Sequence, residues 1–450
     1  MPARPRLAPL AAALSFSSVV ASLSAQTEWT LLAPNNAPPA LTAHSMAYFL
    51  PLDQTVLFGG VENNVRSDQT WIWNGSDWSQ ASPTNVPPAR VAHSMAYDAA
   101  RAKLVMFGGI DTFGGLLGDT WEWDGFDWTQ VIPATFPPSR RSHPMAYLPS
   151  RGTVVMFGGA ASSDLNDLWE WNGTDWAQIT TVTAPPARRA SDMAYDPVTG
   201  GLLLFSGYFQ TNDTWLFDGT DWQQLQPTTL PPARYDHTMV TDIVRDRIVM
   251  FGGVSPADTW EWDGTDWLQR TPVTLPAPRF DTYLAYDFVR EEVLMFGSVA
   301  TPEMWRYAVT NSPTFTTGGV GCAGSAGTPS ITPTARPWIG STFTVDVAPV
   351  PTNGIGLMLY GLSDTNSALY GPLPTSLAAF GLPGCDLQVD PVLIDAFLAN
   401  GNVATWSRPL PNDPQLLGGQ IYCQGAALDP GANTFGAVVA NYGVMTIGGK

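Results

Sequence analysis

A short phrase occurs six times along the first two thirds of this chain, and it limits the fold more than any other feature. Val56-Leu-Phe-Gly-Gly60 comes back as VMFGG at residues 105 and 155, LLFSG at 203, VMFGG at 249 and LMFGS at 294. A Trp-containing segment follows each copy, at Trp71, Trp121, Trp169, Trp215 and Trp260, with a last variant Met304-Trp305-Arg306-Tyr307. A second Trp follows at positions 78, 128, 176, 222 and 267. Of the 18 tryptophans only Trp338 and Trp406 lie outside this pattern. The period is 45 to 50 residues. A unit that short cannot bury its own apolar face and must pack against its copies.

Each unit parses into four short strands. In the second copy these are His93 to Asp98, Leu104 to Gly109, Thr120 to Asp124 and a strand starting at Trp128. Apolar and polar residues alternate with period two, and Asp-Gly or Asn-Gly pairs mark hairpin turns. Four strands per repeat, arranged radially, predict a six-bladed β-propeller. The sixth copy lacks its last strand, whereas an orphan segment, Glu28-Trp-Thr-Leu-Leu32, stands at the N-terminus in phase with Trp78. That segment is expected to complete the last blade and remove an open sheet edge.

The Gly-Gly pair after an apolar strand, the paired Trp segment and an Arg before each His-containing first strand resemble the kelch repeat, within the superfamily of galactose-oxidase-like propellers. The resemblance covers residues 26–310. It implies a fold rather than an activity, because such propellers serve as binding platforms, enzymes and scaffolds. The related copper oxidase needs a Tyr–Cys crosslink and His ligands. This propeller region contains no Cys, so that activity is rejected. The sialidase Asp-box differs from the Asp-Gly-Thr-Asp-Trp turn found here.

The domain plan expected from the sequence is a signal peptide over 1–25, the propeller over 26–310, a Gly-rich junction over 311–327 and a small β-sandwich-like domain over 328–450. Arg4 and Arg6 precede an apolar stretch from Leu7 to Ala21, and small residues allow cleavage after Ala25. Export to the cell exterior or envelope follows from that reading, in a compartment that permits disulfides. No later apolar run is long enough to span a membrane. The C-terminal part resembles all-β modules of secreted bacterial proteins with a Gly-Cys-x-Gly start and a later Pro-Gly-Cys. Cys322 and Cys385, each preceded by Gly, are the expected disulfide, and Cys385–Cys423 is its rival.

Charge excludes one class of partner. With 21 basic against 39 acidic residues the net charge is −18, which opposes nucleic acid. His44, His93, His143 and His237 fall in one column of the repeat, where the other copies carry Ser191 and Thr282. A residue that recurs at symmetric positions serves the repeat, so these read as scaffold rather than metal ligands. The same discount applies to the arginine column, Arg90, Arg140, Arg188, Arg234 and Arg279, with Leu41 in the first copy. Some of these are expected to pair with carboxylates of neighbouring blades. Neither a cofactor nor a metal is expected, and no catalytic residue is assigned.

Function is sought where the repeats differ. After the arginine column come Thr42, Val91, Arg141, Arg189, Tyr235 and Phe280, then Ala43, Ala92, Ser142, Ala190, Asp236 and Asp281. Strand parity puts these on the face opposite the Asp-Gly turns. Candidate ligand-binding residues are therefore Arg140, Arg141, Arg188, Arg189, Arg234, Tyr235, Asp236, Arg279, Phe280 and Asp281. Aromatic faces with planar polar groups suit sugars, acidic ones above all. The expectation is a secreted, monomeric binding module for an acidic glycan or an acidic protein segment. The alternatives are a carbohydrate-active enzyme of mutarotase or lyase type on the same face, and a structural cell-envelope protein.

Overall fold

A computed structural model describes residues 27–447 except 210, 255–256, 298–300, 310–313, 320, 335–336, 338–340, 353, 362, 364, 368–370, 381, 383–384, 390, 392, 411–419 and 434–435. The signal peptide expected over 1–25 lies outside the described residues. The chain divides into two compact units, 26–310 and 311–450, apart from its first 25 residues.

The first unit is a propeller of six antiparallel four-stranded sheets, with one short extra strand in blade 2. Within blades 1 to 5 the strands pair in chain order. Blade 1 has Ser45–Phe49, Gln54–Phe58, Thr70–Trp73 and Trp78–Gln80. The six first strands touch in sequence, and Tyr283–Asp287 of blade 6 meets Ser45–Phe49 of blade 1, so the ring closes around a central channel.

The second strand of each blade is a continuous apolar run because both of its faces are covered. In blade 2, Leu104 and Met106 pack with blade 1, whereas Val105 and Phe107 pack with blade 3. Side chains alternate across a strand, so consecutive residues serve opposite neighbours. This two-sided burial explains why the run is not interrupted by polar residues.

The tryptophan that opens the fourth strand links blades. The indole N–H of Trp128, Trp176 and Trp267 donates to Thr70, Thr120 and Thr214 of the preceding blade, at 2.9, 2.9 and 3.1 Å. Blades 3 and 6 carry Leu168 and Met304 at the threonine position. The indoles that face them, Trp222 and Trp78, have no hydrogen-bond partner among the described residues.

Closure follows the expected scheme. Thr27–Leu32 pairs antiparallel with Met304–Val309, setting Trp29 opposite Tyr307. Trp29 then behaves as the missing sixth tryptophan and donates to Thr259 at 2.9 Å. Glu28 accepts from the Val273 N–H at 2.9 Å, as Asp127 accepts from Asn85 elsewhere in the ring.

The second unit is all-β. Eight of its strands form a nearly closed antiparallel sheet, in the order Thr314–Gly318, Ala437–Thr446, Gln420–Leu428, Ile355–Gly361, Leu393–Asn400, Val403–Pro409, Thr342–Ala348, Ser330–Pro333, and four short ones pair as two ribbons. The sandwich-like expectation thus takes a barrel-like form around Phe343, Val345, Met358 and Trp406. Thr314–Gly318, read from sequence as part of a Gly-rich junction, is an edge strand whose partner lies more than a hundred residues away. Cys322 and Cys385 form the disulfide, and Cys423 is a buried free thiol. Among the described residues no helix is long and apolar enough to cross a membrane.

Candidate functional site at the channel mouth

The neck of the channel is built by backbone. Ala43, Ala92, Ser142, Ala190, Asp236 and Asp281 all have φ between 52° and 56°, in the left-handed region. Each donates its N–H to the carbonyl of the equivalent residue one blade back, and the bond from Ala43 to Asp281 completes a ring of six. Left-handed backbone costs an L-residue roughly 1–2 kcal/mol. Asp bears that cost better than most residue types, because its short side chain tolerates the conformation.

The arginine column holds this neck from outside. Arg90, Arg140, Arg188 and Arg234 are buried and grip Asp119, Asp167, Asp213 and Asp258 with both terminal nitrogens, at 2.6 to 3.0 Å. Arg279 bonds Glu303 at 2.6 Å. Every partner lies in the arginine's own blade, which corrects the expectation of neighbouring blades. The reason is local: the arginine precedes the first strand, and the acid precedes the Trp of the third strand by two residues. That Trp donates its indole N–H to the same carboxylate, as Trp121 does to Asp119 at 2.7 Å. Burial works to raise the carboxyl pKa of Asp119, Asp167 and Asp213, but the arginine and indole donors outweigh it and hold all three low. Blade 1 replaces the pair as a unit: Leu41 stands for Arg, and Gln69 for Asp still accepts from Trp71.

The Gly-Gly pair makes room for this arrangement. A Cβ on Gly108 would lie 2.6 Å from the Arg140 carbonyl and 3.0 Å from the His143 ring. One on Gly109 would lie 2.8 Å from the Val91 carbonyl. His93, His143 and His237 are buried against Phe58, Phe107 and Phe205 of the preceding blade, ring centroids 5.7 Å apart. Burial lowers the pKa of His143 and His237 to about 3.

Of the sequence candidates, Arg140, Arg188, Arg234 and Arg279 are therefore committed to the scaffold. Arg141, Arg189, Tyr235, Asp236, Phe280 and Asp281 are brought together around the mouth. Arg189 bonds Asp164 at 2.5 Å and stacks over the Tyr208 ring at 3.7 Å. Tyr235 packs on Tyr208 with centroids 5.3 Å apart, and Phe280 is 46 % exposed. Among the described residues no side-chain hydrogen bond or ion pair holds the Arg141 guanidinium; only its backbone is tied, to Ala160.

Below the mouth, Ser142, Ser191, Asp236, Asp281, Thr282 and Tyr283 help line a cavity of about 50 Å³. That is space for roughly three to five waters, or a single carboxyl-sized group. Burial, reinforced by Asp281, raises the Asp236 carboxyl to about 7 against the pull of Arg189 and Arg141. Burial also raises Asp281.

Tyr208, Phe209 and Asp192 escaped the sequence reading. Tyr208 occupies the position after the second Gly, where Ile110 and Ala160 stand in other copies. Asp192 falls in the column of Ser45, Ser94 and Thr238, so a break in polarity marks it. It is a brace: its carboxylate accepts from the Met239 N–H of the next blade at 2.6 Å and from its neighbour Met193 at 2.8 Å. Burial raises it to about 7 even so.

Among the described residues no group of three His, Cys, Asp or Glu is placed to hold a metal ion. No family model matches the chain, and no curated protein matches it either.

Proposed function

We propose that this chain is a secreted propeller of the kelch type that binds carbohydrate across its channel mouth. The kelch assignment is supported by the shared structural duty of the repeated residues: the Gly pair and the buried His recur in four blades each, and the Arg–carboxylate–Trp contact in blades 2 to 6. The Cys322–Cys385 disulfide supports export. One observation carries the ligand reading. Arg141 and Arg189 meet Tyr235, Phe280, Asp236 and Asp281 at a single opening, in blades 3 to 6 only. Aromatic rings offer faces for sugar stacking, and the carboxyl groups accept from hydroxyls. An acidic protein segment would use the same arginines but has less need of the ring faces.

The Asp236 carboxyl favours a second reading. A carboxyl group that gives up its proton near neutrality is suited to general acid–base work, as a carbohydrate-active enzyme needs.

A glycan array probed with the mature chain tests the first reading. A hit should weaken strongly in Arg141→Ala, with a smaller dependence on salt. Unchanged binding would move the site to the 108–119 hairpin and its exposed Phe113. Turnover of the array hit, lost in Asp236→Asn, would establish the enzyme instead.

A further inference from the structure

We propose that the mouth takes up the carboxylate of an acidic sugar together with a proton, so that capture is tight in mild acid and released as the solution turns alkaline. This rests on the reading that the mouth binds carbohydrate, and it names the group that enters the cavity.

The geometry comes first. Asp236 and Asp281 are adjacent on the neck ring, since the Asp281 N–H donates to the Asp236 carbonyl at 3.3 Å. The other four ring positions carry only Ala or Ser. Among the described residues no hydrogen-bond donor reaches either carboxyl group, although both are half-buried. One residue further in, Ser191 is 7 % exposed, lines the same cavity and has no partner for its hydroxyl. Polar groups left unpaired at one place, two acids, a hydroxyl and the Arg141 guanidinium, call for a polar ligand. The inner space suits a carboxyl group, so the ring would sit at the open mouth beside Tyr235 and Phe280.

The charges around the pair decide which ligand. Arg189 is balanced by Asp164. Asp192 lines the same cavity and loses its proton over the same range, but its two oxygens are turned to backbone N–H groups and not to the mouth; Asp192→Asn is the control that separates its proton from those of the pair. His143 and His237 are kept neutral by burial, and burial raises the Tyr283 hydroxyl so that it stays protonated. That leaves Arg141, Asp236 and Asp281. With both acids protonated the mouth carries one positive charge and two O–H donors. With both ionised it carries one negative charge and offers no acid donor to an anion. A carboxylate therefore enters only when at least one Asp holds a proton, and that proton then lies in an O–H···O⁻ bond between Asp and ligand. Burial, reinforced by Asp281, raises Asp236 to about 7, and burial raises Asp281.

The experiment is calorimetric titration of the mature protein from pH 5.5 to 9. The probes are a uronic-acid trisaccharide, its carboxyl-reduced neutral counterpart and a Glu-rich peptide. Above pH 7 the affinity for the acidic trisaccharide should fall by up to about tenfold per pH unit, with proton uptake visible as a buffer-dependent heat. Asp236→Asn should still bind, with a shallower slope, and the double variant Asp236→Asn with Asp281→Asn should bind with the slope removed; Asn tolerates the left-handed backbone, and Asp281→Asn serves as a second single variant. Binding of the trisaccharide with no pH slope, or an unchanged slope in both variants, would sink the proton link and leave the carbohydrate reading standing. Failure to bind either trisaccharide at any pH would overturn both, whereas binding of the neutral one alone would overturn the proton link and leave the carbohydrate reading standing. pH-linked binding of the peptide alone would overturn the proposal in favour of a protein ligand.

Discussion

The backbone N–H of Ala43 in blade 1 donates to the carbonyl of Asp281 in blade 6, at 2.9 Å. This bond closes the neck ring across the seam that the N-terminal strand closes at the rim. Ring closure and the placing of an acidic side chain at the mouth are thus one event. Loosening the seam should disturb both.

The first prediction concerns the seam. Trp29 is 2 % exposed and joins the core formed by Phe251, Trp305 and Tyr307. Trp29→Ala should cost about 3–5 kcal/mol in denaturant unfolding. A truncation lacking residues 26–33 should melt well below the mature chain, because Met304–Val309 becomes an open edge. Equal melting temperatures would contradict the closure.

Thr120→Val should destabilise by about 1–3 kcal/mol, since it strands the buried Trp176 N–H. Blades 3 and 6 supply the control. Leu168→Ala, facing the already unpaired Trp222, should show a cavity cost but no lost hydrogen bond, and Trp222 fluorescence should shift less than that of Trp176.

Arg234→Leu leaves the buried Asp258 carboxylate without its partner and should cost about 3–5 kcal/mol. The double change Arg234→Leu with Asp258→Gln copies the Leu41–Gln69 pair of blade 1 and should recover most of that loss. A double-mutant cycle with no coupling would show that the pair does not act as a unit.

The pH dependence has a definite sign. The folded pKa of Asp192, about 7, lies above its ordinary value of 3.8. The native state therefore holds a proton that the unfolded chain gives up. The stability this proton contributes is present below about pH 4 and is lost as pH rises toward 7, by at most about 1.4 kcal/mol per unit. Asp192→Asn cannot ionise. Measured against the parent, it should gain stability steadily from pH 4 to 7 and level off above. A difference that stays flat over that range would refute the assignment.

Peptide mapping without reduction should recover Cys322 linked to Cys385, and Cys423 should react with thiol reagents only after unfolding. Burial raises the Cys423 thiol to about 12, which further slows its reaction. Replacing both bridged cysteines by Ser should cost the second unit about 4 kcal/mol through loop entropy alone, for a separation of 63 residues.

The sequence alone determined the ring of blades, their number and the strand that closes them. Those properties follow from a period: Trp29 stands 49 residues before Trp78, and copies packed on copies leave few other arrangements. It also identified Cys322 and Cys385, because each follows a Gly, but left Cys423 as a rival. It set Arg140 in the recurring column and Arg141 outside it, yet kept both as binding candidates, because the carboxylate each one meets is not legible in a period. Arg140 and Arg141 are adjacent and chemically identical, yet one is buried on Asp167 and the other has no side-chain partner among the described residues. Only the tertiary structure decided this, because a side chain's availability depends on which carboxylate the fold brings beside it. The same holds for Asp192 and Asp236. Both are raised toward neutrality by burial, but Asp192 spends one oxygen on the next blade and the other on the N–H of Met193, while no donor among the described residues reaches the Asp236 carboxyl.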